Sequence, residues 1–371
     1  MLTVHLRAKD GATADIQVPM PVVGMQRPDA VTLNGVTWPT VRYEDLYRTG
    51  DTISGAIGRL TKQAVITFPT GRFYADDFAT GYLAAINIPH GPCMGLWGSG
   101  PGDYTMTKDG TYFGINPGTS KQQAATGQKH VLWTADNGGQ SFGQFAVLGT
   151  QQAAGELYNG FAIYHPTGRC EVRDVLVAGW QGSANVPPGE TAGFTIIDGT
   201  AHFNHQLTRL DGDGRRPDGK VTGTAPLGGQ NLNGTEWRDC YGHDCLASQF
   251  GFYLSRNVKT FDCRSERNGS GSGGLSGQGF NHEKTDGIIH TRPRVDLARA
   301  NGNVGAHFSH SNYDDPTWAP GRLTVIDPVT LTDGKPAALV AQSWSPYVAA
   351  NTAAPVVTRA GASVSYTWAH G

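Results

Sequence analysis

The feature that most narrows what this chain can become is a loose internal repeat between about residues 140 and 312. A Gly-aromatic pair opens successive segments at Gly160-Phe161, Gly193-Phe194, Gly251-Phe252 and Gly279-Phe280, with Gly305-Ala306-His307-Phe308 as a variant. The steps are 33, 58, 28 and 26 residues. The step of 58 is twice 29 if a rung near residues 222–234 lacks its aromatic. Downstream of each pair lies a short polar-apolar strand with an aspartate, at Asp174, Asp211, Asp239, Asp262 and Asp296, closed by Gly or Asn. Cys240 and Cys263 fall 23 residues apart at equivalent places, near the length of one coil.

Unequal repeats of roughly 20–35 residues, with Gly and Asn at corners and no helices between, predict an all-β chain wound as a right-handed parallel β-helix. Corner Gly and Asn supply the left-handed backbone that tight turns need. A β-sandwich or propeller is the competing architecture. The uneven repeat length and the stacked Asp-Cys pairs favour the solenoid.

The flanks read differently. Residues 1–48 form short strands, LTVHLRA, ADIQVPMPVV and AVTLNGVTW, with Asn34-Gly35 as a hairpin signal and prolines at 19, 21, 28 and 39 keeping the strands short or at edges. This is expected to be a small β module for attachment or oligomerisation. Asp51 is expected to N-cap a short helix whose Ile53, Ile57 and Leu60 make one apolar stripe. Such a helix would close the open end of a solenoid occupying residues 49–315. After Pro316 the repeat stops, and 316–371 reads as a β-rich unit in which Val364, Tyr366 and Trp368 alternate as in an edge strand.

Composition excludes several classes of function. With 29 Lys and Arg against 31 Asp and Glu the net charge is -2, so there is no broad basic field to gather nucleic acid. No apolar run reaches the roughly 20 residues that span a bilayer, and the start, MLTVHLRAKDG, is not expected to act as a signal peptide. Five cysteines, an odd number spread widely, suit reduced buried residues better than a disulfide framework. Neither a metal nor any other cofactor is expected; His243 between Cys240 and Cys245 is the weak alternative.

The segment 51–104 resembles the opening of pectate-lyase-like β-helix proteins: a helix cap, then an apolar-Phe-Pro-x-Gly-x-Tyr strand at Phe68, Pro69, Gly71 and Tyr74, then a rung with Gly95, Gly98, Gly100 and Gly102. No Lys-Ser/Thr pair follows Gly102, so the run is not a phosphate loop. The whole layout from about residue 45 is similar to minor tail proteins, tail fibres and tailspikes of bacteriophages, particularly phages of actinobacteria. The resemblance implies a virion protein assembled in the host cytoplasm. It also implies a homotrimer, other tail proteins as partners and contact with host-surface polysaccharide.

The same family contains lyases and hydrolases. Glycoside hydrolysis needs two carboxyls about 5–10 Å apart, which neighbouring rungs can supply. Asp239 and Asp262 are the first candidates by repeat position, with Glu266 and Glu283 next, yet a recurring solenoid aspartate more often bonds its own backbone at a corner. The run from Asp211 to Asp213 starts like a calcium loop, but Arg215 and Arg216 occupy its later positions, so it reads as an excursion between rungs. His282-Glu283 lacks the second His of a zinc-protease helix, and His290, His307 and His310 read as solvated. For a lyase, Arg264, Arg267 and Lys259 are available. For plain glycan binding the candidates are Trp237, Tyr241, Tyr253, Asn257 and Arg264. The expected function is host adhesion by a tail protein without confident catalytic residues; the alternative is a polysaccharide depolymerase on the same fold.

Overall fold

The computed structural model describes residues 2–7, 13–18, 27–33, 35–75, 84–88, 91–115, 129–149, 158–180, 192–216, 218–219, 221, 225–245, 248–268, 277–297, 306–311, 321–343 and 354–370. They form a right-handed parallel β-helix. One wall is a ten-stranded sheet with one strand from each coil, running from Ala84–Ile88 through Lys129–Ala135, Tyr158–Tyr164, Ala192–Ile197, Ala225–Gln230, Ser248–Tyr253, Gln278–Glu283, Phe308–Ser311 and Val340–Ser343 to Thr367–His370. The second wall climbs in parallel from Val36–Arg42 and Ala64–Thr67 through Cys93–Trp97, Ser141–Leu148, Glu171–Ala178 and Gln206–Asp213. Above Gln206–Asp213 it continues as two short strands per coil, such as Glu236–Arg238 and Tyr241–His243.

The aromatic repeat is the core ladder. Phe161, Phe194, Leu227, Phe250, Phe280 and Phe308 lie in direct register, all fully buried. Leu227 takes the place of the aromatic missing near residues 222–234. In the next coil the register belongs to Phe250, not to Phe252 of the Gly251-Phe252 pair. The pleat has a period of two, so Phe252 also points inward, one column along, between Gly229 and His282. Phe280 stacks on Phe250 at 4.6 Å and on Phe308 at 5.5 Å between ring centroids. At Gly160 a Cβ would sit 2.2 Å from the carbonyl oxygen of Gly193, so the pair needs glycine for the close approach of coils as well as an aromatic for the core.

The corners of the second wall differ from the Gly and Asn expected there. Where the second wall bends, Gln144, Asp174, Arg209, Asp239, Asp262, Arg292 and Asp327 all have φ between 49° and 61°. Each directly follows strand residues that pair coil to coil. Of the recurring aspartates, Asp174, Asp239 and Asp262 are therefore left-handed corner residues, a conformation Asp tolerates better than most side chains, whereas Asp211 and Asp296 lie within paired strands.

The helix cap is Ile53–Ile57, capped by Thr52, whose hydroxyl accepts from Gly55 N at 2.9 Å. Asp51, expected in that role, instead accepts from Arg48 N at 2.7 Å and pairs with Arg59. The expected stripe holds: Ile53, Ile57 and Leu60 close the lower end of the core, beside Tyr43 stacked on Phe68 at 4.6 Å. Leu2–Arg7 pairs with Thr13–Val18 as an antiparallel hairpin. Ala30–Leu33 and Val36–Arg42 form a second hairpin with Gly35 at φ 75°; its partner Asn34 lies outside the described residues.

Parallel pairing extends beyond both expected borders of the solenoid. Val36–Arg42 lies on Ala64–Thr67. Past Pro316, Leu323–Ile326, Val329–Thr332 and Val340–Ser343 lie on the coil below, and Val356–Arg359 and Thr367–His370 on the coil after. The sequence repeat stops there because small and β-branched residues replace the Gly-aromatic pair, Ala341 taking the Phe308 register. Val364 and Tyr366 pack against the core.

Candidate functional site

On the second wall, the coils from Gln206–Asp213 upward alternate strictly. Gly212, Gly242, Ser265 and Val295 are buried and in register. Their neighbours face out as two columns: Asp211, Tyr241, Arg264 and Arg294 in one, Asp213, His243, Glu266 and Asp296 in the other. In lower coils the same columns are apolar, Leu176 and Ala178, and Tyr104 and Met106 cover them. The change from apolar to charged happens at Asp211 and Asp213, where Arg215 lies 4.3 Å over the Tyr104 ring. The acidic run read as an excursion is thus the end of a regular strand.

The charged groups hold one another. His243 bonds Asp211 through Nε2 at 2.9 Å and Asp244 through Nδ1 at 2.7 Å. Burial opposes its protonation, but those two bonds and the nearby Asp213 carry its pKa up to about 9. Arg267 reaches both oxygens of Asp244, at 2.7 and 2.8 Å. Burial would raise Asp244; the Arg267 and His243 bonds override it and keep the carboxyl well below the usual range. Glu266 behaves likewise: burial is outweighed by the bond from Tyr241 Oη at 2.8 Å and by Arg294 at 3.3 Å, so its pKa falls. Burial and the bond to Glu266 push the Tyr241 phenol up to about 12.

Asp213, His243 and Asp244 bring potential ligand atoms within 4.8 Å of one another. Arg215 and Arg267 already neutralise the two carboxylates, so this trio does not suit a metal ion. The Cys240–His243–Cys245 alternative fails on direction. The Cys240 thiol donates to the Leu207 and Arg238 carbonyls and that of Cys245 to Ser248, inside the coil. All five cysteines are free and buried.

Of the residues singled out by sequence, the structure brings together Tyr241, Arg264, Glu266 and Arg267, whose guanidinium donates to Glu266 and to Tyr241 Oη at 3.2 Å. His243 is stacked on the Tyr241 ring at 4.2 Å, and the Arg264 guanidinium lies 5.0 Å from the ring centroid. Trp237 is fully buried against Phe194, Phe250 and Phe252 and offers no surface to a glycan, because its pleat position points inward. Asp239 and Asp262 are the corner residues already described, and Asp262 forms a two-bond pair with Arg292 at 2.7 and 2.6 Å. Asn257, exposed at φ 52°, is another corner residue and bonds Asn233 at 2.8 Å. Tyr253 and Glu283 are in register on the ten-stranded sheet, away from the charged face. Glu283 is buried and accepts from Asn281 at 2.8 Å.

His290 and His307, expected to be solvated, are fully buried, as is His310. Sequence reasoning missed the roles of Asp211, Asp244 and Arg294. A signal for Arg294 existed: aligning Cys240, Cys263 and Pro293 puts Tyr241-x-His243, Arg264-x-Glu266 and Arg294-x-Asp296 in one outward frame.

No family model and no curated protein matches the chain. Among solved structures it is similar to pectate lyase Pel9A, at 12% identity over 84% of this chain and 75% of that one, with a TM-score of 0.39. It is similar to the tailspike gp42 of Acinetobacter phage vb_AbaP_AS12 at 8% identity, covering 88% of this chain and 64% of that one, with a TM-score of 0.46. It therefore spans less than two thirds of that tailspike. The A-module of mannuronan C-5 epimerase AlgE4 from Azotobacter vinelandii gives 10% identity, coverages of 89% and 95%, and a TM-score of 0.37. These are likenesses of architecture, and activity has to be argued from the chain's own residues.

Proposed function

We propose that this chain is a virion component of a phage tail, a fibre, spike or minor tail protein, which contacts the host envelope by binding carbohydrate through the charged face around Tyr241, Arg264 and Glu266. The observation that carries the binding reading is the fixed ionisation of that face. A general acid or base works best with a pKa near the operating pH. Here His243 is held charged up to about pH 9 while Asp244 and Glu266 are held ionised. At neutral pH the face offers a permanent array of charged donors and acceptors at rung spacing, which suits hydrogen bonding to hydroxyl-rich chains. Glycoside hydrolysis on the same fold requires a carboxyl that keeps its proton near neutrality, and Glu266, Asp244 and Asp262 are all shifted the other way. The tail assignment is supported by the sequence layout, a helix-capped solenoid flanked by a small β hairpin.

The test is retention of the purified chain on immobilised host-envelope polysaccharide. Arg264→Ala, an exposed substitution that leaves the core untouched, is expected to weaken retention about tenfold, the effect of losing about 1.4 kcal/mol. Equal retention of both proteins removes the charged face from the account.

A further inference from the structure

Along the solenoid an arginine commonly reaches one coil down to a carboxylate. Arg209 meets Asp174 in this way, Arg267 meets Asp244, Arg292 meets Asp262, Arg294 meets Glu266 and Arg322 meets Asp286. Arg264 does not. It is exposed and stands on the charged face directly below Arg294 and directly above Tyr241. Among the described residues it has no ion pair, and its guanidinium lies 5.0 Å from the Tyr241 ring centroid instead.

The register explains the exception. Arg294 finds Glu266 because Glu266 sits two residues along the strand below, in the second outward column. The same step from Arg264 lands on His243. Both ring nitrogens of His243 meet carboxylates, Nε2 that of Asp211 at 2.9 Å and Nδ1 that of Asp244 at 2.7 Å. An ionised carboxylate only accepts, so both nitrogens carry protons and the ring is a cation. Arg264 therefore meets a cation below where Arg294 meets an anion, and it has a second guanidinium one rung above, at a strand spacing of about 4.8 Å. Like charges directly opposite each other on a sheet destabilise it. The carboxylates of the adjacent column are already engaged, Glu266 by Tyr241 Oη and Arg294, and Asp296 by the Gly334 N–H at 3.0 Å.

We propose that Arg264 is the specificity-determining residue of the charged face and selects an acidic glycan, one whose carboxylate or phosphate group settles between the Arg264 and Arg294 guanidiniums. The planar guanidinium matches two oxygens of either group at once. An anion placed between two arginines of one column turns a repulsion into two attractions. A neutral sugar leaves that repulsion in place. This inference rests on the carbohydrate-binding reading above and adds to it the charge of the ligand.

The test is an array of immobilised oligosaccharides in three sets, neutral, uronic-acid-bearing and phosphate-bearing, probed with the full chain, Arg264→Gln, Arg264→Lys and Arg72→Gln. Arg72 is an exposed cation on Gly71–Ala75 in the lower coils, so its replacement removes one charge away from the face. The parent is expected to bind an acidic set about tenfold more tightly than the neutral one. Arg264→Gln is expected to lose that preference at unchanged melting temperature. Arg264→Lys, which keeps the charge without the fork, is expected to keep part of it, and Arg72→Gln all of it. The acidic set that binds tells carboxylate from phosphate. Equal binding of neutral and acidic sets by the parent, or a preference that survives in Arg264→Gln, overturns the assignment while leaving carbohydrate binding in place. No binding of any set overturns both.

Discussion

His282 and His290 meet Nε2 to Nε2 at 2.8 Å inside the coil, and neither has any exposed surface. The geometry fixes every proton. The Ser309 carbonyl only accepts, so His282 Nδ1 donates to it at 2.6 Å, which leaves His282 Nε2 as an acceptor for His290 Nε2–H. His290 Nδ1 in turn accepts from the Thr260 hydroxyl at 2.7 Å. Two imidazoles thus fill core positions that aromatics hold in lower coils, at the cost of having no place for an extra proton.

The first prediction follows from that. Burial, with His310 adding to it, pushes His282 down to about 3; burial also lowers His290, and alone takes His130 down to about 3. The unfolded chain takes up these protons near pH 6.5 and the folded chain does not, so stability present above pH 6.5 is lost as the pH falls toward 3. At pH 5 the loss is about 2 kcal/mol each for His282 and His130, and His290 adds to it in the same direction. Denaturant unfolding at stepped pH is expected to show this slope, and imidazole NMR signals titrating near 6.5 for all three contradict it.

His243 gives the opposite limb. Its folded pKa is raised to about 9, so its contribution is complete below pH 6.5 and disappears as the pH rises through 9. The size is roughly 3–4 kcal/mol. Asp211→Asn is expected to move the His243 titration down by about one unit or more, and an unmoved titration removes Asp211 from the network.

Trp237→Ala is expected to destabilise by about 3–5 kcal/mol, as for a large buried aromatic. Phe250→Ala is expected to do the same, since it holds the core register between Leu227 and Phe280. Loss of glycan retention in Trp237→Ala without any fall in melting temperature contradicts the placement of this residue in the core.

At the corner, Asp239 has φ 53°. Asp239→Asn and Asp239→Gly are expected to leave stability within about 0.5 kcal/mol, whereas Asp239→Val is expected to cost about 1–2 kcal/mol, because a β-branched residue resists the left-handed region. Equal melting of all three variants contradicts a conformational role.

The solenoid was legible because its signals repeat. Inward aromatics recur in most coils, corner aspartates at Asp174, Asp239 and Asp262, and cysteines at Cys240 and Cys263, so a change in one coil, such as Leu227 for Phe, is outvoted by its neighbours. The exact register was less so. Phe250 and Phe252 lie two apart and both face inward, and only coil-to-coil pairing shows which continues the ladder. The charged face was half legible: Tyr241, Arg264 and Glu266 were named, but His243 was read with the cysteines beside it in sequence. In a strand, adjacent residues face opposite ways, and that separates His243 from Cys240 and Cys245. The C-terminal coils were hidden because parallel pairing is made by the backbone and persists where the side-chain repeat is lost.

The trimer implied by the family resemblance has a direct expectation, a particle of three 39.5 kDa chains by light scattering at micromolar concentration. A monomer at that concentration counts against it.

Incubation of the purified chain with host-envelope polysaccharide, following retention on the polymer together with release of reducing or unsaturated ends, bears most directly on the central claim. Retention without new chain ends is the predicted result. New chain ends that vanish when Glu266 is replaced by Gln contradict it and make the charged face a catalytic one.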